Sequence, residues 1–165
     1  EICVRGPMVM QGYYRMAEAT AATIDTEGFL HTGDLGTLDA DGFVQIGGRA
    51  RDVIIRGGEN IYPAEVEDAL LAHPAIAEVA VVGVADDRWG QQVAAAVILR
   101  AGAQAGIAEL EAHAATRLAH FKVPRIWRCV EALPHTPNGK IAKRLVEDMF
   151  ALAAAQATSG QTGAD

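Results

Sequence analysis

The chain has 165 residues, half of them apolar, enough to bury one ordinary core or two small ones. A formal net charge of -7 argues against a binder of duplex nucleic acid, which presents a basic face. There is no apolar run of membrane-spanning length and no signal peptide, and Cys3 and Cys129 lack metal-ligand spacing, so reduced, half-buried thiols in a cytoplasmic protein are expected.

Residues 1–5 alternate like a strand already under way, and with no initiating Met the chain reads as a piece of a longer protein. A second strand is expected over 9–14, beyond Gly6-Pro7, followed by one helical turn over 18–23. After the run 27–36, Asp41-Gly42 marks a tight turn into a strand over 43–46. Small β-pieces of this kind seldom stand alone.

The stretch 48–65 is dense in residues with special backbones: a basic turn (Gly48, Arg49, Arg51), an apolar strand (Val53, Ile54, Ile55), then Gly57-Gly58, Glu59, Asn60 and Pro63. Two adjacent glycines make either an ordinary hairpin turn or a place where the backbone passes close to something else. Pro63 suits the first position of a helix, with Glu65, Glu67 and Asp68 near its positive end and Pro74 as its stop. Residues 77–84 and 92–99 are nearly continuous apolar runs, expected as two central strands buried on both faces. Ile107, Leu110, Ala114 and Leu118 mark a second helix, 126–131 a third strand, and Ile141, Leu145, Met149 and Leu152 one face of a last helix. From about residue 155 the polar tail has little to bury and is expected to be disordered.

Three loops and one basic patch carry candidate chemistry. Asp34, after Thr32-Gly33, is either an acceptor for a sugar diol or the pivot of an Asx-type turn. The second loop is Gly57-Gly58. Lys140, closing the run Pro137-Asn138-Gly139, is either a solvated turn lysine or a cation able to swing onto a phosphate or oxyanion. The patch Phe121-Lys122-Val123-Pro124-Arg125 suits base stacking with phosphate contacts, or is a helix end whose cations snorkel. The five histidines include no pair at i, i+4, so no metal site is expected; His73 is read as a packed side chain and Cys129 as core.

Three of these motifs, in order and in register, resemble the last signature motifs of the adenylate-forming enzymes, among them the acyl-CoA synthetases: Gly28-Phe29-Leu30-His31-Thr32-Gly33-Asp34; Gly48-Arg49-Ala50-Arg51-Asp52 with Gly57 to Pro63 and Glu65-Val66-Glu67; and Pro137-Asn138-Gly139-Lys140. The resemblance spans residues 1–150. It implies an α+β architecture: a small C-terminal domain with a β-hairpin and a three-stranded sheet packed with helices, preceded by partial β-structure from the end of a large N-terminal domain. Residues 1–48 would be that end, 49–154 the mobile domain and 155–165 a tail.

The implied activity is an ATP-dependent acid–CoA ligase, which forms an acyl-adenylate and, after rotation of the small domain, an acyl-CoA. ATP with Mg²⁺, CoA and a carboxylic acid are the implied partners, with the protein's own N-terminal domain. By position, Asp34 would hold the ATP ribose with Arg49 assisting, and Lys140 would bridge substrate carboxylate and α-phosphate. The hinge falls on Arg51 or Asp52. Gly57, Gly58, Glu59 and Asn60 would line the thiol channel, and Phe121, Lys122 and Arg125 would meet the CoA nucleotide. The phosphate loop and acyl pocket of the family lie upstream of these motifs, so the chain alone is not expected to be active. Two other readings remain at this point: an adenylation domain loading a carrier protein, and a non-catalytic α+β binding module.

Overall fold

A computed structural model describes residues 1–159. The chain divides into two units that meet between Arg51 and Asp52.

In the first unit, β1 (Cys3–Val4) pairs antiparallel with β2 (Leu30–His31), and α1 (Ala17–Thr23) lies between them in sequence. A hairpin follows, β3 (Asp34–Leu38) against β4 (Val44–Arg49), its turn closed by Asp39, whose carboxylate accepts the N–H groups of Asp41 and Phe43 at 3.0 and 2.8 Å. The expected strand over 9–14 is absent. There Gly12 packs on Thr20, whose hydroxyl accepts the Tyr13 N–H at 2.9 Å, and a backbone committed to a helix side chain offers no ladder. No residue of 1–51 is fully buried, and Met8, Tyr14, Phe43 and Leu38 stand exposed, so this unit has no core of its own.

The second unit holds the core. A 3₁₀ turn (Ala50–Asp52) leads into the hairpin β5 (Ile54–Arg56) and β6 (Glu59–Ile61), then α2 (Pro63–Leu71). Pro63, with no N–H to lose, opens α2, and Pro63, Val66 and Leu70 form its buried stripe. The helix stops short of Pro74, and the buried His73 packs edge-on to His113 at 4.8 Å while its Nδ1 accepts the Ala75 N–H at 3.2 Å. The long strands β7 (Ile76–Asp86) and β8 (Gly90–Leu99) pair antiparallel. After α3 (Ile107–Ala115) and a 3₁₀ turn (His120–Lys122), β9 (Ile126–Cys129) joins β8 in parallel; α4 (Lys143–Ser159) ends the described chain.

Strand alternation splits the sheet's side chains between two cores. Val79, Val81, Val93, Ala95 and Val97 face α2, α3 and the β5–β6 hairpin, whereas Ala80, Val82, Ala94 and Ala96 face α4. The apolar runs are thus buried on both faces, although the order β7-β8-β9 makes only β8 central. Three alanines on the second face leave room for Phe150 of α4.

Several sequence expectations need correction. The buried stripe of α4 is Val146 and Phe150, with Leu145 and Leu152 exposed: two apolar stripes run side by side here, and the alanine face takes the one carrying the larger ring. Ile107 is exposed, while Leu110, Ala114 and Leu118 are buried as expected. Both cysteines are exposed, because Cys129 ends β9 and Cys3 belongs to the unit without a core. Helix α4 carries residues 155–159 of the expected tail; residues 160–165 lie outside the described residues.

Candidate functional site

Asp34 and Arg49 face each other across the β3–β4 ladder, as first residue of one strand and last of the other. The Arg49 Nε donates to Asp34 Oδ1 at 2.8 Å, and its Nη1 donates to the Thr32 carbonyl at 3.3 Å. The Asp34 amide donates to Thr32 Oγ1 at 3.1 Å, so the turn that aims this carboxylate is fixed by its neighbour's side chain. The ion pair is partly exposed. Arg51 and Asp52 sit in the 3₁₀ turn at the boundary of the units.

In the second unit, Gly57 and Gly58 are the two central residues of the β5–β6 turn, at φ 60° and 88°. Positive φ at both positions is the demand of a type I′ turn, which glycine meets without strain. The two glycines differ in surroundings. A Cβ on Gly57 would lie 2.8 Å from Trp89 Cε3, whereas one on Gly58 would meet nothing within 4 Å. The exposed residues Glu59 and Asn60 follow on β6.

Trp89 belongs to this loop although sequence reasoning passed over it. It sits in the β7–β8 turn, held there by Asp86, whose Oδ1 accepts the Trp89 and Arg88 N–H groups at 2.8 and 3.0 Å. The Trp89 amide is the main reason the Asp86 carboxyl is held below its ordinary range. The guanidinium groups of Arg56 and Arg88 lie over the ring, 4.8 and 4.9 Å from its centroid, and the Trp89 carbonyl accepts the Gly57 N–H at 2.9 Å. Gln91 and Gln92 complete the join, accepting from the Ile55 amide at 2.7 Å and from Arg56 Nε at 2.8 Å. The signal available in the sequence was Trp89 in a polar turn, beside Gly90.

Lys140 ends a small closed loop. The Thr136 amide donates to the Lys140 carbonyl at 2.7 Å, the Gly139 amide to the Thr136 carbonyl at 2.9 Å, and an isolated bridge joins His135 to Ile141. Lys140 itself is exposed, and among the described residues no carboxylate pairs with its ammonium.

The patch 121–125 is less free. Phe121 is half-buried against the first core. The Lys122 ammonium grips both Glu65 oxygens at 2.6 and 2.7 Å, and Arg125 donates to Glu111 at 2.8 Å while its other terminal nitrogen meets His120 Nε2 at 2.8 Å. An incoming phosphate would compete with these acidic partners.

One cluster was invisible in the sequence. Glu1, Cys3 and His31 bring potential ligand atoms within 4.8 Å of one another, because β1 pairs with β2 and sets Cys3 opposite His31. His31 has carboxylates at both ring nitrogens, Glu1 at 2.9 Å and Asp25 at 3.4 Å. These hydrogen bonds, that of Glu1 foremost, raise the His31 pKa above its ordinary value, which favours a protonated imidazole over a metal ligand.

Residues 65–140 match the family model described as the AMP-binding enzyme C-terminal domain. Over 144 residues the chain is 49% identical to a long-chain-fatty-acid–CoA ligase of Bacillus subtilis, covering 87% of this chain and 26% of the ligase. Two solved structures superpose well. The o-succinylbenzoate CoA synthetase of Bacillus subtilis, in complex with its acyl-adenylate intermediate, gives a TM-score of 0.84 at 41% identity, over 89% of this chain and 30% of that one. ATP-bound MatB of Rhodopseudomonas palustris gives 0.82 at 38%, over 88% and 29%. The chain thus spans less than a third of the length of these relatives. With the motif order, the hairpin, the three-stranded sheet and these matches in agreement, residues 65–140 belong to the AMP-binding enzyme C-terminal domain family, and the chain is similar to part of the acid–CoA ligases that carry it.

Proposed function

We propose that the protein to which this chain belongs is a cytoplasmic, AMP-forming acid–CoA ligase that works by domain rotation. The observation that carries this reading is the division of the chain between Arg51 and Asp52, directly before the Gly57-Gly58 turn and at the position where the family resemblance puts the hinge. Two exposed loops then have separate tasks. In the first half-reaction, Asp34 accepts hydrogen bonds from the ribose hydroxyls of ATP, with Arg49 holding its carboxylate in place. The ammonium of Lys140 lies between the substrate carboxylate and the α-phosphate, lowering the repulsion as the carboxylate oxygen attacks phosphorus and pyrophosphate leaves. ATP is the magnesium complex, its metal carried by the triphosphate.

In the second half-reaction the unit that begins at Asp52 has turned, and Gly57 and Gly58, with Glu59 and Asn60 beside them, border the path of the pantetheine thiol. The thiol sulfur attacks the acyl carbon, and AMP departs with the bridging oxygen. Phe121 offers its ring to the CoA adenine, and Lys122 and Arg125 exchange their carboxylate partners for phosphates. The rest of the ATP site and the acyl pocket belong to the large N-terminal domain, this unit's principal partner. The diversity of acids in the relatives' names fits a pocket lying outside the domain that this chain matches.

The test is to supply the full-length enzyme with ATP, a panel of aliphatic and aromatic acids and CoA, and to follow AMP. CoA-dependent AMP release with one acid class is the expected outcome. AMP release that ignores CoA and requires a carrier protein would replace this reading with carrier loading, and no AMP with any acid would leave only a binding module.

A further inference from the structure

We propose that Glu67 is a positioning residue that fastens the Lys140 loop to the element carrying the Gly57-Gly58 turn, so that the two catalytic loops move as one body. The inference rests on the ligase reading above. Glu67 lies on α2, which follows β6 after a single residue. Its Oε1 accepts the Val81 N–H of β7 at 2.8 Å and meets the Lys143 ammonium at 2.9 Å, with both side chains largely withdrawn from solvent, 18% and 23% exposed. Lys143 is the first residue of α4, three positions after Lys140. One carboxylate therefore ties together α2, the edge of the sheet and the downstream end of the catalytic loop.

The loop's own hydrogen bonds, Thr136 to Lys140 and Ala142 to the Pro134 carbonyl at 2.8 Å, close it upon itself without attaching it to α2. A second tether, His135 Nε2 to Glu78 at 3.5 Å, reaches only β7 and is longer and more exposed. Glu67 is thus the side chain through which the loop of one half-reaction is joined to the helix that follows the loop of the other. Its position in the first turns of α2 suggested only a favourable interaction with the helix dipole; the structure assigns it a different partner.

The experiment uses the full-length enzyme with four variants: Glu67→Gln, Lys143→Met, the two combined, and Lys143→Arg. Glutamine keeps an acceptor for Val81 and removes only the charge, so folding is preserved. Adenylate formation is read as pyrophosphate release, and thioester formation is read from supplied acyl-adenylate and CoA. Misplacing a reacting group is costly to the step that uses it, so Glu67→Gln and Lys143→Met should each lower kcat for adenylation about tenfold. KM for ATP and the thioester step should stay within about twofold of the parent. The double variant should fall no further than either single one, because both break the same tie, and Lys143→Arg should restore most of the rate. Equal losses in both half-reactions, additive losses, or no loss would overturn the inference while leaving the ligase reading intact. A parent enzyme that releases no AMP with any acid overturns the ligase reading, and the inference falls with it.

Discussion

Alanine at Gly57 and alanine at Gly58 should differ, although both occupy the same turn at positive φ. Each substitution brings a Cβ into left-handed backbone, at a cost of about 1–2 kcal/mol. For Gly58 that is nearly the whole cost, because the new methyl group enters open space. At Gly57 the methyl would stand 2.8 Å from Trp89 Cε3 and 3.1 Å from Cζ3, distances at which the ring must move. Any shift of the ring disturbs its surroundings: the Trp89 carbonyl is bonded to the Gly57 amide, its own amide to Asp86, and Arg56 and Arg88 lie over the ring. Disturbing two cation–π contacts worth about 0.5–1 kcal/mol each brings the loss at Gly57→Ala to about 2–4 kcal/mol, against about 1–2 at Gly58→Ala. Urea unfolding followed by far-UV circular dichroism measures both, with m-values compared to confirm that the unfolded states are alike. Tryptophan emission should shift only in the Gly57 variant. Equal midpoints for the two variants would refute the idea that Trp89 is seated on Gly57.

Three further outcomes are expected. In the full-length enzyme, Lys140→Ala should lower adenylate formation by about a hundredfold or more and leave thioester formation from supplied acyl-adenylate largely intact; equal losses would remove Lys140 from its assigned role. Arg51→Pro, which locks φ at the boundary of the units, should spare pyrophosphate release and block acyl-CoA formation, and unchanged CoA-dependent turnover would refute a hinge there. His31 should titrate above 6.5 because Glu1 and Asp25 bond to its charged form. Its contribution to holding β1 on β2 is fully present below 6.5 and disappears as pH rises through the raised folded value. Glu1 and Asp25, with lowered pKa values, contribute above 4.5 and 3.8 and lose that contribution as pH falls. The tie is therefore tightest in mildly acidic solution. Ring-proton NMR titration of His31, alone and with Asp25→Asn, gives the check: a midpoint at or below 6.5 in the parent would contradict the pairing.

What could be read in the sequence was whatever had a local cause. Pro63 fixes a helix start, Gly57-Gly58 fixes a turn, and a strand buried on both sides writes itself as an unbroken apolar run, as 77–84 and 92–99 do. The failures have non-local causes. Whether Val146 or Leu145 faces inward on α4 depends on the alanines of β7 and β8, residues about fifty to sixty-five positions away that are unremarkable in themselves. The absence of a strand over 9–14 depends on Thr20. Trp89, Glu67 and the Glu1–Cys3–His31 cluster come into view only when the fold brings residues distant in sequence to their partners.

The two faces of the sheet also differ in how much they hold. Among the described residues, fourteen buried side chains make up the core under α2 and α3, and seven the core under α4. Local opening follows the amount of apolar contact, so the smaller cluster is expected to open before the larger one. In hydrogen-exchange terms, the amides of α4 should exchange faster than those of β7 and β8. Lys140 sits just before that helix. The Lys140 loop therefore adjoins the smaller of the two cores, and the Gly57-Gly58 turn the larger.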